Sequence, residues 1–90
     1  MKLKYNMIVN EVGGKMVAVA VGEDLSKFNG FVKMNENGAF IFNLLKNDLT
    51  AAEIISALVE EFGVEDNAEL REGVSGFIAS LVKEGVIENG

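Results

Sequence analysis

The chain has 90 residues, enough for one domain over residues 1–90, and its 49% hydrophobic and 24% charged residues are typical of a folded protein. It contains no cysteine and no histidine, which excludes a disulfide framework, thiolate or imidazole metal ligands and a histidine-based catalytic triad. The net charge of −6 argues against nucleic-acid binding, because such binding depends on lysines and arginines that displace counterions from phosphates.

Two segments indicate where in the cell the protein is expected to be. The longest apolar run, Met16 to Val21, is far shorter than the roughly 20 residues that span a bilayer. The first residues, Met1 to Met7, lack the apolar core of a signal peptide. We therefore expect a cytoplasmic protein that does not bind a membrane.

The first half of the chain has the pattern of a small antiparallel sheet. Met7 to Val12 and Lys15 to Val21 are rich in β-branched residues, and Gly13-Gly14 between them is typical of a tight hairpin turn. A polar loop from Gly22 to Asn29 follows, and the short apolar segment Phe31 to Met34 is predicted to be a third strand.

From Asn35 onward the apolar residues recur at helical spacing. Asn35 is placed to cap a first helix, whose apolar stripe is Ala39, Phe40, Ile41, Leu44 and Leu45. The second helix is predicted by the capping box Thr50-Ala51-Ala52-Glu53, and Gly63 ends it. Its buried face comprises Ile54, Ile55, Leu58, Val59 and Phe62.

A third helix is predicted to start near Asp66, because Asp66 and Glu69 have the spacing of a capping box. Gly85 supplies its C-terminal cap. The apolar stripe between them is Leu70, Val74, Phe77, Ile78, Leu81 and Val82. Three strands followed by three helices predict an α+β fold.

Several segments, in this order, resemble PqqD-type proteins. The central run Met34-Asn35-Glu36-Asn37-Gly38-Ala39-Phe40-Ile41-Phe42 is similar to a family signature, with Met34 in place of leucine and Phe42 in place of tryptophan. The flanking segments that also match are Glu11 to Gly14, Leu49 to Ile54, Phe77 to Leu81 and Gly85 to Glu88. The resemblance covers about Met7 to Glu88.

The resemblance implies a winged-helix-like domain that recognises the leader of a ribosomally made precursor peptide. Such a domain presents the peptide to a modifying enzyme, often a radical S-adenosylmethionine (SAM) enzyme, as in pyrroloquinoline quinone biosynthesis. It implies a non-catalytic adaptor with no cofactor and no metal site. One position departs from the family, which often has an acidic residue where this chain has Gly73.

The mechanism expected for such a domain is strand addition. A third strand at the sheet edge leaves N–H and C=O groups that an extended peptide can pair with, and helix 3 would form the other wall of the groove. The same edge could pair with its own copy, giving a strand-paired or swapped dimer. The predicted peptide-binding residues are Phe31, Val32, Lys33, Met34, Arg71, Val74, Ser75, Ile78 and Val82.

Other interpretations remain open at this point. A winged-helix regulator that docks in a DNA groove has the same element order, although the acidic charge argues against it. A small enzyme is a third possibility, but the chain has no histidine to act as a general base near neutral pH. The helical glycines Gly73 and Gly76 indicate either a close backbone approach or a kink. The acidic residues Glu60, Glu61, Glu65 and Asp66 could bind a metal or a basic peptide segment, although such a cluster is more typical of a solvated surface.

Overall fold

The computed structural model describes residues 1–88. Its strands are β1 (Lys2–Leu3), β2 (Met7–Val12), β3 (Lys15–Ala20), β4 (Phe31–Met34) and β5 (Ile87–Glu88). A 3-10 helix (Gly22–Ser26) lies between β3 and β4, and the α-helices α1 (Glu36–Leu44), α2 (Ala51–Phe62) and α3 (Ala68–Glu84) follow β4. The predicted order of three strands and three helices, an α+β fold, is confirmed.

The main sheet has three antiparallel strands in the order β2-β3-β4. Its hairpin turns at Gly13 and Gly14, whose φ angles of 59° and 81° are both positive. Two positive φ angles match the right-handed twist of the strands that they join, and they favour glycine at both positions. The predicted hairpin is therefore confirmed, with Val12 opposite Lys15.

A second, two-stranded sheet was not predicted. β1 pairs antiparallel with β5, placing Leu3 opposite Ile87. The N–H of Leu3 also donates to the C=O of Leu45 at 2.8 Å, which fastens this small sheet to the end of α1. Contacts between residues so distant in sequence leave no local pattern, and this accounts for the omission.

The helix starts follow the predicted capping chemistry in two of three cases. The side chain of Asn35 accepts a hydrogen bond from the N–H of Gly38, and Thr50 and Glu53 form both bonds of a capping box. The predicted start of α3 near Asp66 is confirmed, but Asp66 is not the capping residue of this helix. Its cap is Asn67, whose Oδ1 accepts from the N–H of Leu70 at 2.9 Å.

The core lies between the helices and one face of the main sheet. The fully buried side chains there include Phe42 of α1, Ile54 of α2 and Leu81 of α3. On the sheet, Ala18 and Val32 face them. None of the helices within residues 1–88 has the length and apolarity needed to cross a bilayer.

Candidate functional site

The strand β4 forms one edge of the main sheet. Its four residues pair with β3 only, with Met34 opposite Met16 and Phe31 opposite Val19. The N–H and C=O groups along the other side of β4 have no partner strand within residues 1–88. The predicted third strand is thus an edge strand in the structure.

Main-chain alternation in β3 determines which groups of β4 are unpaired. The N–H of Val21, just after β3, donates to the C=O of Asn6 at 2.9 Å. In an antiparallel pair, every second residue directs both main-chain groups to the same neighbour. The odd-numbered residues of β3 therefore face β2, and its even-numbered residues face β4.

The same alternation sorts the residues of β4 into two pairs. Val32 and Met34 lie opposite even-numbered residues of β3, so their main-chain groups are paired within the sheet. The N–H and C=O groups of Phe31 and Lys33 then point away from the sheet. These two residues provide the groups that an added strand would pair with.

The side chains of β4 also alternate. Val32 is buried and Met34 is half-buried on the face that the helices cover. Phe31 is 57% exposed on the opposite face, where the Lys33 Nζ lies 5.7 Å from the centre of its ring. An added strand would therefore meet a main-chain ladder flanked by an exposed cation–π pair.

A cleft of about 670 Å³ opens where β4 ends. It lies between the N-terminus of α1, the C-terminus of α2 and the first half of α3, and the larger part of its exposed surface is apolar. The apolar lining residues are Ile41, Leu58, Phe62, Val64, Leu70, Val74 and Phe77. The others are Asn35, Asn37, Gly38, Glu65, Asn67, Glu69 and Gly73.

The inner end of the cleft is closely packed at Gly38. A Cβ at this position would lie 3.0 Å from Cε1 of Phe77 and 3.1 Å from Cβ of Met34. Such distances are shorter than ordinary van der Waals contact between carbon atoms. A glycine here lets the start of α1 approach both α3 and β4.

The wall formed by α3 has the opposite character at Gly73. A Cβ at Gly73 would meet no atom within 4 Å, other than those of its own helix and adjacent residues. The same is true of Gly76, which does not line the cleft. Neither glycine is required by packing within the described part of the chain, although each weakens the helix relative to alanine.

Acidic groups surround one side of the cleft. Arg71 binds Asp66 through two hydrogen bonds, of 2.8 Å from Nε and 3.1 Å from Nη2, and these bonds lower the pKa of Asp66 and raise the pKa of Arg71. Within residues 1–88, no salt bridge joins Glu65 or Glu69 to a basic side chain. The mouth of the cleft is therefore negatively charged.

The structure places four of the predicted site residues on β4 and the other five on α3. Phe31, Val32, Lys33 and Met34 form β4, and Val74 lies in the wall of the cleft. The remaining four are on α3 but do not line the cleft: Arg71, Ser75 and Val82 are exposed and Ile78 is half-buried. Their part in peptide binding stays a prediction.

Sequence reasoning did not assign several cleft residues to the site. Leu70 was predicted only as part of an apolar stripe, and Gly38 and Phe77 were noted as parts of segments that resemble the family but not as site residues. Gly73 had been noted as unusual in a helix. No group of three or more acidic residues within residues 1–88 is arranged to hold a metal ion.

Comparison with known proteins gives a family and a fold. The family model of coenzyme PQQ synthesis protein D (PqqD) matches residues 7–87. No curated protein matches the chain at a significant level.

Two solved structures are similar to the whole domain. The first is TbiB1 in complex with the TbiA(beta) leader peptide, with a TM-score of 0.72 and 18% identity over 100% of this chain and 98% of the other. The second is lasso peptide synthetase B1 complexed with the leader peptide, with a TM-score of 0.65 and 20% identity over 94% and 93%. At these identities the two structures show a shared fold.

Proposed function

Because the chain belongs to the PqqD family, we propose that it is a non-catalytic adaptor that binds the leader of a ribosomally made precursor peptide. The peptide adds to the main sheet as a fourth strand beside β4. The observation that carries this proposal is the free edge of β4, along which the N–H and C=O groups of Phe31 and Lys33 point outward; the cleft begins at Asn35, directly after this strand.

The similar structures support the same conclusion. Both are complexes with leader peptides, and both share the fold over nearly their full length. Backbone pairing supplies affinity without regard to sequence, and side chains that reach α3 supply selectivity. The free edge of β4 and the α3 wall of the cleft would supply these two requirements.

We propose further that the adaptor presents its peptide to a modifying enzyme of the radical SAM type. This role needs no catalytic group in the adaptor itself. It suits a small cytoplasmic domain that acts as a winged-helix-like binding module. The pathway could make pyrroloquinoline quinone or another peptide-derived product.

Titration of ¹⁵N-labelled protein with the leader of a candidate precursor peptide, chosen from reading frames beside the gene for this chain, tests the proposal. We expect the largest amide shifts in 30–34 and in α3, because these segments flank the groove. The first half of α2 should change little. Shifts confined to 60–66 would contradict strand addition at β4.

Titration with a duplex DNA fragment is the control for the regulator hypothesis. The chain has 14 acidic and 8 basic residues, so we expect no binding at physiological salt. Salt-dependent binding to DNA without binding to the leader peptide would favour a transcriptional regulator instead.

A further inference from the structure

The position of the cleft relative to β4 fixes which part of a bound peptide would reach it. β4 runs from Phe31 to Met34, and the cleft begins at Asn35. The neighbouring strands are antiparallel, and antiparallel pairing is the more stable arrangement per residue. A peptide that pairs antiparallel with β4 runs toward Phe31, so the residues before its paired segment lie at the cleft.

The lining of the cleft suits a large apolar side chain. Phe62 and Val64 are 45% and 41% exposed at its mouth, and burial of such surface stabilises a complex. Gly73 leaves its part of the wall open, since a Cβ there would meet no atom within 4 Å. A ligand side chain or backbone can therefore approach the axis of α3 closely at this point.

The charges at the mouth favour a positively charged neighbour for that side chain. Glu65 and Glu69 line the cleft, and the nearby Arg71 is engaged by Asp66. A lysine or arginine of the ligand would find carboxylates that no basic side chain within residues 1–88 neutralises. A second copy of this chain, with its net charge of −6, would be repelled from the same rim.

We propose that the cleft binds the residues that precede the strand-forming segment of the same peptide. A large apolar side chain is seated against Gly73, and an adjacent lysine or arginine lies beside Glu65 and Glu69. This inference rests on the proposed function and adds to it the class of ligand: an apolar residue next to a basic one, N-terminal to an extended segment.

Three fluorescein-labelled synthetic peptides test the ligand class. All share one segment of alternating threonine and valine, preceded by Phe-Lys, by Phe-Glu or by Ala-Lys. We expect the Phe-Lys peptide to bind about tenfold more tightly than the Ala-Lys peptide, because its ring is buried. Its advantage over the Phe-Glu peptide should be about fivefold, and high salt should reduce it.

Two matched variants test the residues. Gly73→Ala and Gly76→Ala should both stabilise α3, but only Gly73→Ala should weaken binding of the Phe-Lys peptide, by about fivefold, because the added methyl group occupies the seat of the ring. Binding of the Ala-Lys peptide should not change. Glu65→Gln combined with Glu69→Gln should abolish the preference for Phe-Lys over Phe-Glu.

Equal binding of the three peptides, no detectable binding of any of them, or insensitivity to Gly73→Ala would overturn the inference. The variant Lys33→Pro separates this failure from failure of the proposed function. If all three peptides bind equally and Lys33→Pro weakens them all, strand addition stands and the cleft has no such preference. If the Phe-Lys peptide retains full affinity for Lys33→Pro, the cleft binds it and strand addition at β4 is wrong.

Discussion

Replacing Lys33 with proline tests the free edge of β4 most directly. Lys33 lies opposite Val17, and the alternation of the ladder directs its N–H away from β3. Proline removes that N–H and fixes φ, and both changes are tolerated at an edge strand. The substitution should therefore leave the fold intact while removing a donor to the added strand.

The expected loss of affinity follows from one missing hydrogen bond. A main-chain hydrogen bond contributes about 0.5–1.5 kcal/mol net, and a carbonyl of the ligand left without a partner costs about 1–3 kcal/mol. Since 1.4 kcal/mol corresponds to a factor of ten, Lys33→Pro should weaken peptide binding about 10- to 100-fold. The free energy of unfolding should fall by less than about 1 kcal/mol, because no bond between β3 and β4 is lost.

Isothermal titration calorimetry with the leader peptide measures the affinity, and urea unfolding measures the stability. Glu11→Pro is the matched control, because Glu11 has the same outward orientation at the opposite edge of the sheet, on β2. It should not change peptide binding. Val32→Pro is the contrasting case, since it removes a bond between β4 and β3 and should destabilise the fold. Unchanged affinity for Lys33→Pro, or equal losses for Lys33→Pro and Glu11→Pro, would refute the reasoning.

Three further substitutions address stability. Gly38→Ala should lower the free energy of unfolding by about 1 kcal/mol, because overpacking against Phe77 exceeds the gain in helix propensity; equal or higher stability in urea would contradict this. Gly76→Ala should raise it by about 0.5–1 kcal/mol, since the new methyl group meets open space; a loss in the same assay would show that this glycine is required. Asp24 accepts a hydrogen bond from the N–H of Asn6 at 2.6 Å. This bond is the main reason that the pKa of Asp24 is lowered. The negative charge of Asp24 therefore stabilises the fold at pH values above the usual pKa of an aspartate. This stabilisation is lost as the pH falls through the lowered pKa of Asp24 in the folded protein. Asp24→Asn should reduce Tm at neutral pH, and the difference from wild type should shrink in acid; a constant difference would exclude the charge as its cause.

The parts of the fold that depend on residues close together in the sequence were predictable. Gly13-Gly14 identifies its hairpin turn, and Thr50 with Glu53 identifies the start of α2, because the groups that form each feature lie within a few residues. The cap of α3 was harder, since Asp66 and Asn67 both suit a helix start. The structure assigns Asn67 to the cap and Asp66 to a salt bridge with Arg71.

The candidate site also has one part that the sequence predicted and one part that it did not. The edge strand was predictable from the short apolar segment before Asn35, whereas the cleft was not. The cleft exists because the ends of three helices meet, and the amphipathic pattern of each helix does not define the angle between them. Among the residues that line the cleft, Gly73 had been noted as an interior glycine of a helix, and Val74 had been predicted as a binding residue.

The orientation of β4 also has a consequence for how the sequence of a ligand can change over evolution. An added strand pairs with β4 through the main-chain groups of alternate residues, and only alternate side chains would face α3. Substitutions at the remaining positions of the ligand would leave both the ladder and the groove contacts in place. A precursor peptide could therefore diverge at every second residue of its paired segment while keeping its adaptor, so its pattern of alternation would persist longer than its overall identity.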